Sequence, residues 1–289
     1  MNMAPTAKID AISIVIPCFN EMPEVLQSTI SRIHQSLSQI PSLVYEIIVV
    51  DDGSTKEDYS QLAESIRLIR HKKNKGYGKS LKTGINAAHH SYIGIIDADN
   101  TYSPEEFCNM LPLLPENDMV IGARPWSSIS PLRRIPKKCI TALASFVAAT
   151  KIPDLNSGMR IFNKEIYFSK TTVFPDKFSF SSTLTMVALT NLYSVAFVPI
   201  SYGHRTGKSK ISPIKDTVRF TMQILRLSLY FQPLRFFVPL ATVFMLLAIA
   251  RGLRDVLVVN QFGGLALILF FMSFQIFFFG LIAEIINKK

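Results

Sequence analysis

The sequence predicts an α/β protein: a Rossmann-like, mostly parallel sheet followed by two C-terminal transmembrane helices. Short apolar runs alternate with helical patterns through the first two hundred or so residues, which is the signature of strands joined by crossover helices. Polar clusters stand at the ends of those runs, where open parallel sheets bind ligands. Two long apolar stretches close the chain.

In chain order, Ile12–Pro17, Tyr45–Val50, Ile66–Arg70, Tyr92–Asp97 and Asp118–Gly122 read as strands. Each is a short apolar run of five or six residues of β-forming character. Pro23–Gln39, Lys79–His90 and Pro104–Leu114 read as helices, the first and third with a proline in the first turn, where its missing N–H is harmless. Farther on, Arg133, Arg134, Lys137 and Lys138 precede the apolar stripe Ile140, Leu143, Ala144 and Val147. Ile214, Val218, Thr221, Leu225 and Leu229 form a second stripe beside Lys215, Arg219 and Arg226. Both patterns suit basic helices lying on a membrane surface, and both also suit helices packed on a sheet.

Phe262 to Ala283 is an uncharged stretch of 22 residues, enough at about 1.5 Å per residue to cross a hydrocarbon core of roughly 30 Å. Phe236 to Ala250 is also uncharged, and its extension to Val259 includes Arg251 and Asp255, one helical turn apart and able to pair. Basic residues flank the hairpin on the side of Lys208, Lys210, Lys215, Arg219, Arg226 and Arg235 and again at Lys288 and Lys289, which predicts both termini and the first two hundred or so residues in the cytoplasm. Residues 1–10 are short and polar, so no cleaved signal peptide is expected. Gly263, Gly264 and Gly280 permit close helix contact, within the hairpin or in a homo-oligomer.

The whole chain has 289 residues, 48% of them hydrophobic, and 31 Lys and Arg against 21 Asp and Glu. Its mean hydropathy is +0.27. Disorder and a disulfide-stapled miniprotein are excluded. The net charge of +10 points to anionic partners; nucleic acid ranks last, because the basic residues gather near the apolar spans. Cys18, Cys108 and Cys139 are odd in number and widely spaced, matching no zinc or disulfide pattern.

Four polar clusters carry the chemistry. Pro17-Cys18-Phe19-Asn20-Glu21 follows the first strand, and Asp51-Asp52-Gly53-Ser54 follows the second. Alone, either is as well explained by turn and cap residues; on adjacent strand ends they line one crevice. Asn74-Lys75-Gly76-Tyr77-Gly78-Lys79-Ser80 is a glycine-rich turn before a helix. It fails as a P-loop because Lys73 stands where the first glycine is needed, and as a dinucleotide fingerprint because Leu81 replaces the last. What it retains is a backbone open to close approach and a helix N-terminus with Lys79, an expected phosphate contact. The fourth cluster, Asp97-Ala98-Asp99, ends an apolar run. Two carboxylates so close repel each other, and a divalent cation, Mg²⁺ or Mn²⁺, relieves the repulsion with hard oxygen ligands.

With these clusters in this order, the sequence resembles the inverting glycosyltransferases of GT-A fold, in which Asp97-Ala98-Asp99 corresponds to the DxD metal motif. Asp154-Leu155-Asn156-Ser157-Gly158-Met159-Arg160, Arg205-Thr206-Gly207-Lys208-Ser209-Lys210-Ile211 and the terminal hairpin narrow the resemblance to the polyprenyl-phosphate branch. The resemblance implies a tail at 1–10, a GT-A domain at 11–210, an interfacial helix at 211–233 and a hairpin at 234–289. It implies a nucleotide-diphosphate sugar as donor and a polyprenyl phosphate as acceptor. Donor contacts would come from Pro17, Asn20, Glu21, Asp51, Asp52, Gly76, Lys79, Asp97, Ala98, Asp99, Arg205 and Lys208, with Asp97 and Asp99 on the metal. Arg124, Lys137, Ser157 and Arg160 would serve the acceptor, Lys137 being preferred over Arg134. Asp99, Asp154 and Arg205 would be catalytic, Asp154 as a base or an orienting group. Tyr77 departs from the lysine many relatives carry between the glycines, and Lys79-Ser80 from their small residues. A processive polysaccharide synthase is disfavoured, since Trp126 is the lone tryptophan and lies far from any Gln-x-x-Arg-Trp motif. Two alternatives remain: transfer to a lipid hydroxyl such as that of diacylglycerol, which would need a true base, or a non-catalytic sugar-nucleotide binding protein.

Overall fold

The structure, a computed structural model, describes residues 9–62, 65–128, 131–177, 179–203, 222, 225–226, 229–261 and 263–287. It divides into two compact units, Met1–Phe220 and Thr221–Lys289.

In the first unit, β1 (Ala11–Cys18), α1 (Pro23–Leu37), β2 (Val44–Asp51), β3 (Arg67–Arg70), α2 (Tyr77–Ala87) and β4 (Tyr92–Ile95) build a doubly connected parallel half-sheet. There follow α3 (Glu106–Met110), a 3₁₀ segment at Leu111–Glu116, β5 (Met119–Ala123) and α4 (Pro131–Ala148). The unit closes with β6 (Arg160–Asn163), α5 (Glu165–Phe168), α6 (Phe180–Thr190) and β7 (Val195–Pro199). The sheet order is β3-β2-β1-β4-β6-β5-β7. β1 pairs in parallel with β2 and β4, β2 with β3, and β5 with β7. β6 runs antiparallel to both β4 and β5. Its N-terminal end therefore lies at the edge where its neighbours end, and the loop leading into β6 joins the loops that leave β4 and β5.

The core forms where the apolar stripe of α1, Leu26, Ile30, Ile33 and Leu37, meets Ile12, Ile14 and Ile16 of β1 and Ile47 and Val49 of β2. On the opposite face α2 packs close enough that a Cβ on Gly84 would stand 2.3 Å from Val15 Cγ1. Strand bounds match the sequence reading to within two residues for β1, β2, β3, β4 and β5. The helix expected at Lys79–His90 instead starts at Tyr77, which moves Tyr77 and Gly78 from the loop into its first turn. β6 and β7 were not expected. α4 carries the expected stripe inward, with Ile140, Ala144 and Val147 buried, while Arg134 and Lys138 are exposed.

The second unit contains α7 (Pro233–Arg254), a π-helical turn at Asp255–Val259, and α8 (Gly264–Asn287). Pro233–Val258 and Gly264–Ile286 are long and apolar enough to cross a membrane. Arg251 Nε meets Asp255 Oδ2 at 3.1 Å, the pairing their spacing predicts. Gly280 lets α8 approach α7, since a Cβ there would come within 2.7 Å of Phe237. Ser273 Oγ donates to Ala241 O at 2.9 Å across the pair, which satisfies a hydroxyl on an apolar helix. The second basic stripe, from Ile214 to Leu229, falls largely outside the described residues.

Candidate active site

All four clusters lie at the carboxyl edge of the sheet. Asn20, held at φ 50°, ties the first to the second: its N–H donates to Ser54 Oγ at 2.8 Å, and its Oδ1 accepts from Thr55 and Lys56 N–H. Tyr59 OH accepts from Glu21 N–H and donates to Glu21 O, fixing that loop from below. Pro17 is buried within β1. Burial pushes the neighbouring Cys18 thiol up to about 12, so it stays a thiol. Asp51 is buried against Arg70 Nε at 3.0 Å and accepts from Ser54 N–H. Gly53, Ser54, Thr55, Arg70, His71 and Lys72 line a concavity of about 370 Å³ beside it.

Asp52 is an anchor for the glycine-rich turn. Its Oδ1 accepts from Lys75 N–H and from His71 Nδ1–H at 2.7 Å, and its Oδ2 accepts from Gly76 N–H at 2.7 Å. His71 Nε2 lies 2.9 Å from Thr83 Oγ1, so the ring is held at both nitrogens. Three of the acceptor positions of Asp52 are thus taken by the protein. The backbone of the glycine-rich turn is engaged as well. The N–H groups of Gly78 and Lys79 donate to Lys177 O and Asp176 O, at 3.1 and 2.8 Å. The close backbone approach the glycines permit is that of residues 175–177, since a Cβ on Gly78 would meet Pro175 O at 2.2 Å. Lys82 Nζ completes this socket on Phe174 O and Asp176 Oδ1.

At the end of β4 the strand stops at Ile95, and Ile96–Asn100 turns across the edge. Ala98 is buried, which leaves the two aspartates to bracket the turn. Tyr77 OH donates to Asp97 Oδ1 at 3.0 Å. Gly158 abuts the other oxygen so closely that a Cβ there would sit 2.4 Å from Asp97 Oδ2. Asp99 Oδ1 accepts from Thr101 N–H and, at 2.6 Å, from Thr101 Oγ1–H. No third His, Cys, Asp or Glu joins a metal-binding group among the described residues. Two hard carboxylates on one turn fit a Mg²⁺ or Mn²⁺ ion that completes its shell with water and substrate phosphate.

At the end of β5, Arg124 reaches across to Asp154 in the loop before β6. Its Nε and Nη2 contact Oδ2 and Oδ1 at 2.7 and 3.1 Å, and Lys137 Nζ from α4 contacts Oδ1 at 2.9 Å. Asp154 is fully buried, and although burial alone would raise its pKa, the two cations hold it well below the usual carboxylate range. A carboxylate so held is a weak proton acceptor and a firm partner for the two cations. Burial, and next the Arg124 charge, lower the pKa of Lys137. The Arg124 guanidinium lies 5.4 Å from the Tyr202 ring centroid, and Lys137 lies 5.5 Å from that of Trp126.

Arg160 is fully buried in β6. Its Nη1 donates to Ser181 O and Thr185 Oγ1, and its Nη2 to Ser157 O. Ser157 is buried too, bonded to the backbone of Met159. Arg160 and Ser157 thus form a bracket joining β6 to α6. Arg205 and Lys208 lie outside the described residues. The chain enters that segment beside the aspartates, because Gly203 N–H donates to Thr101 O at 2.8 Å and Tyr202 packs edge-on against Tyr102. Tyr77, Tyr102, Tyr202 and His71 were missed by the sequence reading; the departure at Tyr77 was the only signal pointing to any of them.

Residues 13–168 match the family described as glycosyl transferase family 2, and residues 232–288 match the GtrB C-terminal hairpin. A dolichyl-phosphate beta-glucosyltransferase of Trichomonas vaginalis is 25% identical over 76% of this chain and 71% of its own. A polyprenol monophosphomannose synthase of Mycolicibacterium smegmatis is 28% identical over 69% of this chain and 80% of its own. Among solved structures, glucosyl-3-phosphoglycerate synthase from Mycobacterium tuberculosis, with Mn²⁺, UDP and glucosyl-3-phosphoglycerate, has a similar fold. It superposes with a TM-score of 0.57 at 19% identity, over 76% of this chain and 79% of that one.

Proposed function

We propose that this chain, which belongs to glycosyl transferase family 2 and is therefore a glycosyltransferase, moves a sugar from a nucleotide-diphosphate sugar to a polyprenyl phosphate with inversion at the anomeric carbon. The observation that carries the acceptor is the cation cluster around Asp154. Arg124 and Lys137 contact it and Arg160 lies in its field, so one carboxylate offsets at most one of three positive charges. Partly desolvated positive charge of that kind is best satisfied by an incoming anion, and a lipid phosphate supplies one. The names of the relatives above support the same acceptor class.

A phosphate oxygen attacks the anomeric carbon, forming the phosphate–sugar bond as the bond to the nucleoside diphosphate breaks. The nucleophile is already anionic near neutral pH, so the chain need not take a proton from it. Arg124 and Lys137 hold the phosphate in line, and Asp154 keeps both cations aimed. Asp97 and Asp99 would hold a Mg²⁺ or Mn²⁺ ion, which would supply charge stabilisation to the departing diphosphate. Thr101 orients Asp99, and the Arg205–Lys210 segment offers cations of the right sign to the donor. Because Asp154 is unfit as a base, the reading with a lipid hydroxyl as acceptor is the weaker one. The hairpin supports a membrane anchor, and the basic flank near residues 208–235 supports a cytoplasmic site.

The deciding experiment offers the detergent-purified protein radiolabelled GDP- and UDP-sugars and a short-chain polyprenyl phosphate, with Mg²⁺, Mn²⁺ or EDTA. Metal-dependent entry of label into the organic extract, lost in Asp99→Ala, is the expected result. Donor binding without transfer to any polyprenyl phosphate would overturn it.

A further inference from the structure

Tyr77 occupies a position that neither the donor loop nor the acceptor cluster uses. It is the first residue of α2, and the backbone on which it stands is fixed from two sides. Asp52 accepts the N–H groups of Lys75 and Gly76, and the carbonyls of Asp176 and Lys177 accept those of Gly78 and Lys79. From that fixed origin the phenol reaches 20 residues along the chain to Asp97 Oδ1 at 3.0 Å. Gly158, having no side chain, leaves room beside the other oxygen, where a Cβ would come within 2.4 Å of Oδ2. The phenol therefore fixes the carboxylate through one oxygen while the other faces the glycine. We infer that Tyr77 is a positioning residue for the divalent cation, holding Asp97 in the one orientation in which it meets the metal.

Outer partners of this kind fix the rotamer of a metal-bound carboxylate, and their loss typically weakens metal binding by about 10- to 100-fold. A tyrosine hydroxyl suits the task because it adds no charge beside the ion, whereas a lysine at the same place would compete with it. The glycine-rich turn thus serves the metal rather than the donor phosphates: its glycines let the turn seat against residues 175–177, and the seated turn delivers the phenol. This inference rests on the proposal that Asp97 is a metal ligand.

The test is an Mn²⁺ titration of the full-length, detergent-purified chain, following the free-ion EPR signal, for the wild type, Tyr77→Phe and Asp97→Ala. Tyr77→Phe keeps every ring contact and removes the hydroxyl alone, and a thermal melt of each variant checks the fold. Tyr77→Phe is expected to weaken Mn²⁺ binding at least tenfold and to recover most of its turnover at saturating Mn²⁺, a split that a merely structural role would not produce. Wild-type Mn²⁺ affinity in Tyr77→Phe, with affinity lost in Asp97→Ala, would overturn the role of Tyr77 alone. Wild-type affinity in Asp97→Ala would overturn the assignment of Asp97, and this inference with it.

Discussion

Arg124 grips Asp154 with three of its own nitrogens: Nε at 2.7 Å, Nη2 at 3.1 Å and the backbone N–H at 3.3 Å. The pair joins the end of β5 to the entrance of β6, and Lys137 adds a second cation to the same carboxylate. Breaking a buried pair by removing one partner leaves the other charge uncompensated, at a cost of about 3–5 kcal/mol. The cluster is thus a structural joint as well as the proposed anion site.

Asp154→Asn should lower the melting temperature at neutral pH and raise the KM for polyprenyl phosphate about tenfold or more, with nucleotide affinity little changed. The pH dependence follows from the sign of the shift. A carboxyl whose folded pKa lies below its unfolded value of about 3.9 contributes stability above that value and loses it as pH falls toward the folded pKa. Melting curves from pH 6 to about 3 should fall more steeply for the wild type than for Asp154→Asn; parallel curves would show that Asp154 carries no such linkage.

Arg124→Ala removes a phosphate ligand and strands Asp154 with Lys137 alone. The expected outcome is a KM for the lipid phosphate raised about 100-fold, the equivalent of ~2.7 kcal/mol, with donor binding by calorimetry unchanged. Loss of donor binding instead would move Arg124 to the donor side.

Gly158→Ala forces a methyl group into the space of the Asp97 carboxylate. Overpacking of this kind costs about 1–3 kcal/mol, and the displaced carboxylate should lower turnover far more than it lowers stability. Thermal melts and initial rates at several Mn²⁺ concentrations separate the two effects. A variant with wild-type rates would mean that the loop yields and Asp97 does not.

Gly76→Ala tests the socket under α2. Gly76 has φ 104°, and a Cβ there would stand 2.7 Å from Asp176 O. Strained conformation and steric contact together should cost about 2 kcal/mol or more in a denaturant titration. An unchanged midpoint would show that residues 175–177 are not seated there.

Most legible of the five strands read from the sequence are Ile12–Pro17, Tyr45–Val50 and Asp118–Gly122, each of which holds three or more consecutive apolar residues. β6 is four residues long and begins with a buried arginine, so its pattern does not read as a strand. β7 ends in proline, and its residues are all partly exposed, which blurs any alternation. Asp97 and Asp99 were legible because they end a run. Their partners were not, since Tyr77 reaches Asp97 only when α2 begins two residues earlier than its pattern suggests. The glycine-rich turn resembled a phosphate cradle because the carbonyls that occupy it lie about a hundred residues downstream, at Asp176 and Lys177. Asp154 and Arg160 were singled out by resemblance, but only the antiparallel direction of β6 brings Asp154 to Arg124 while burying Arg160.

That direction also dictates an order of assembly. β4 and β5 do not pair with each other; β6 stands between them and bonds to both. Without residues 160–163 the sheet would fall into two pieces, β3-β2-β1-β4 on one side and β5, which β7 joins later in the chain, on the other. A nascent chain that ends short of Arg160 therefore cannot close its sheet, and it exposes the inner edges of β4 and β5 to other strands. A four-residue strand, followed in the chain by α5, α6 and β7, is thus the one that makes the sheet a single body.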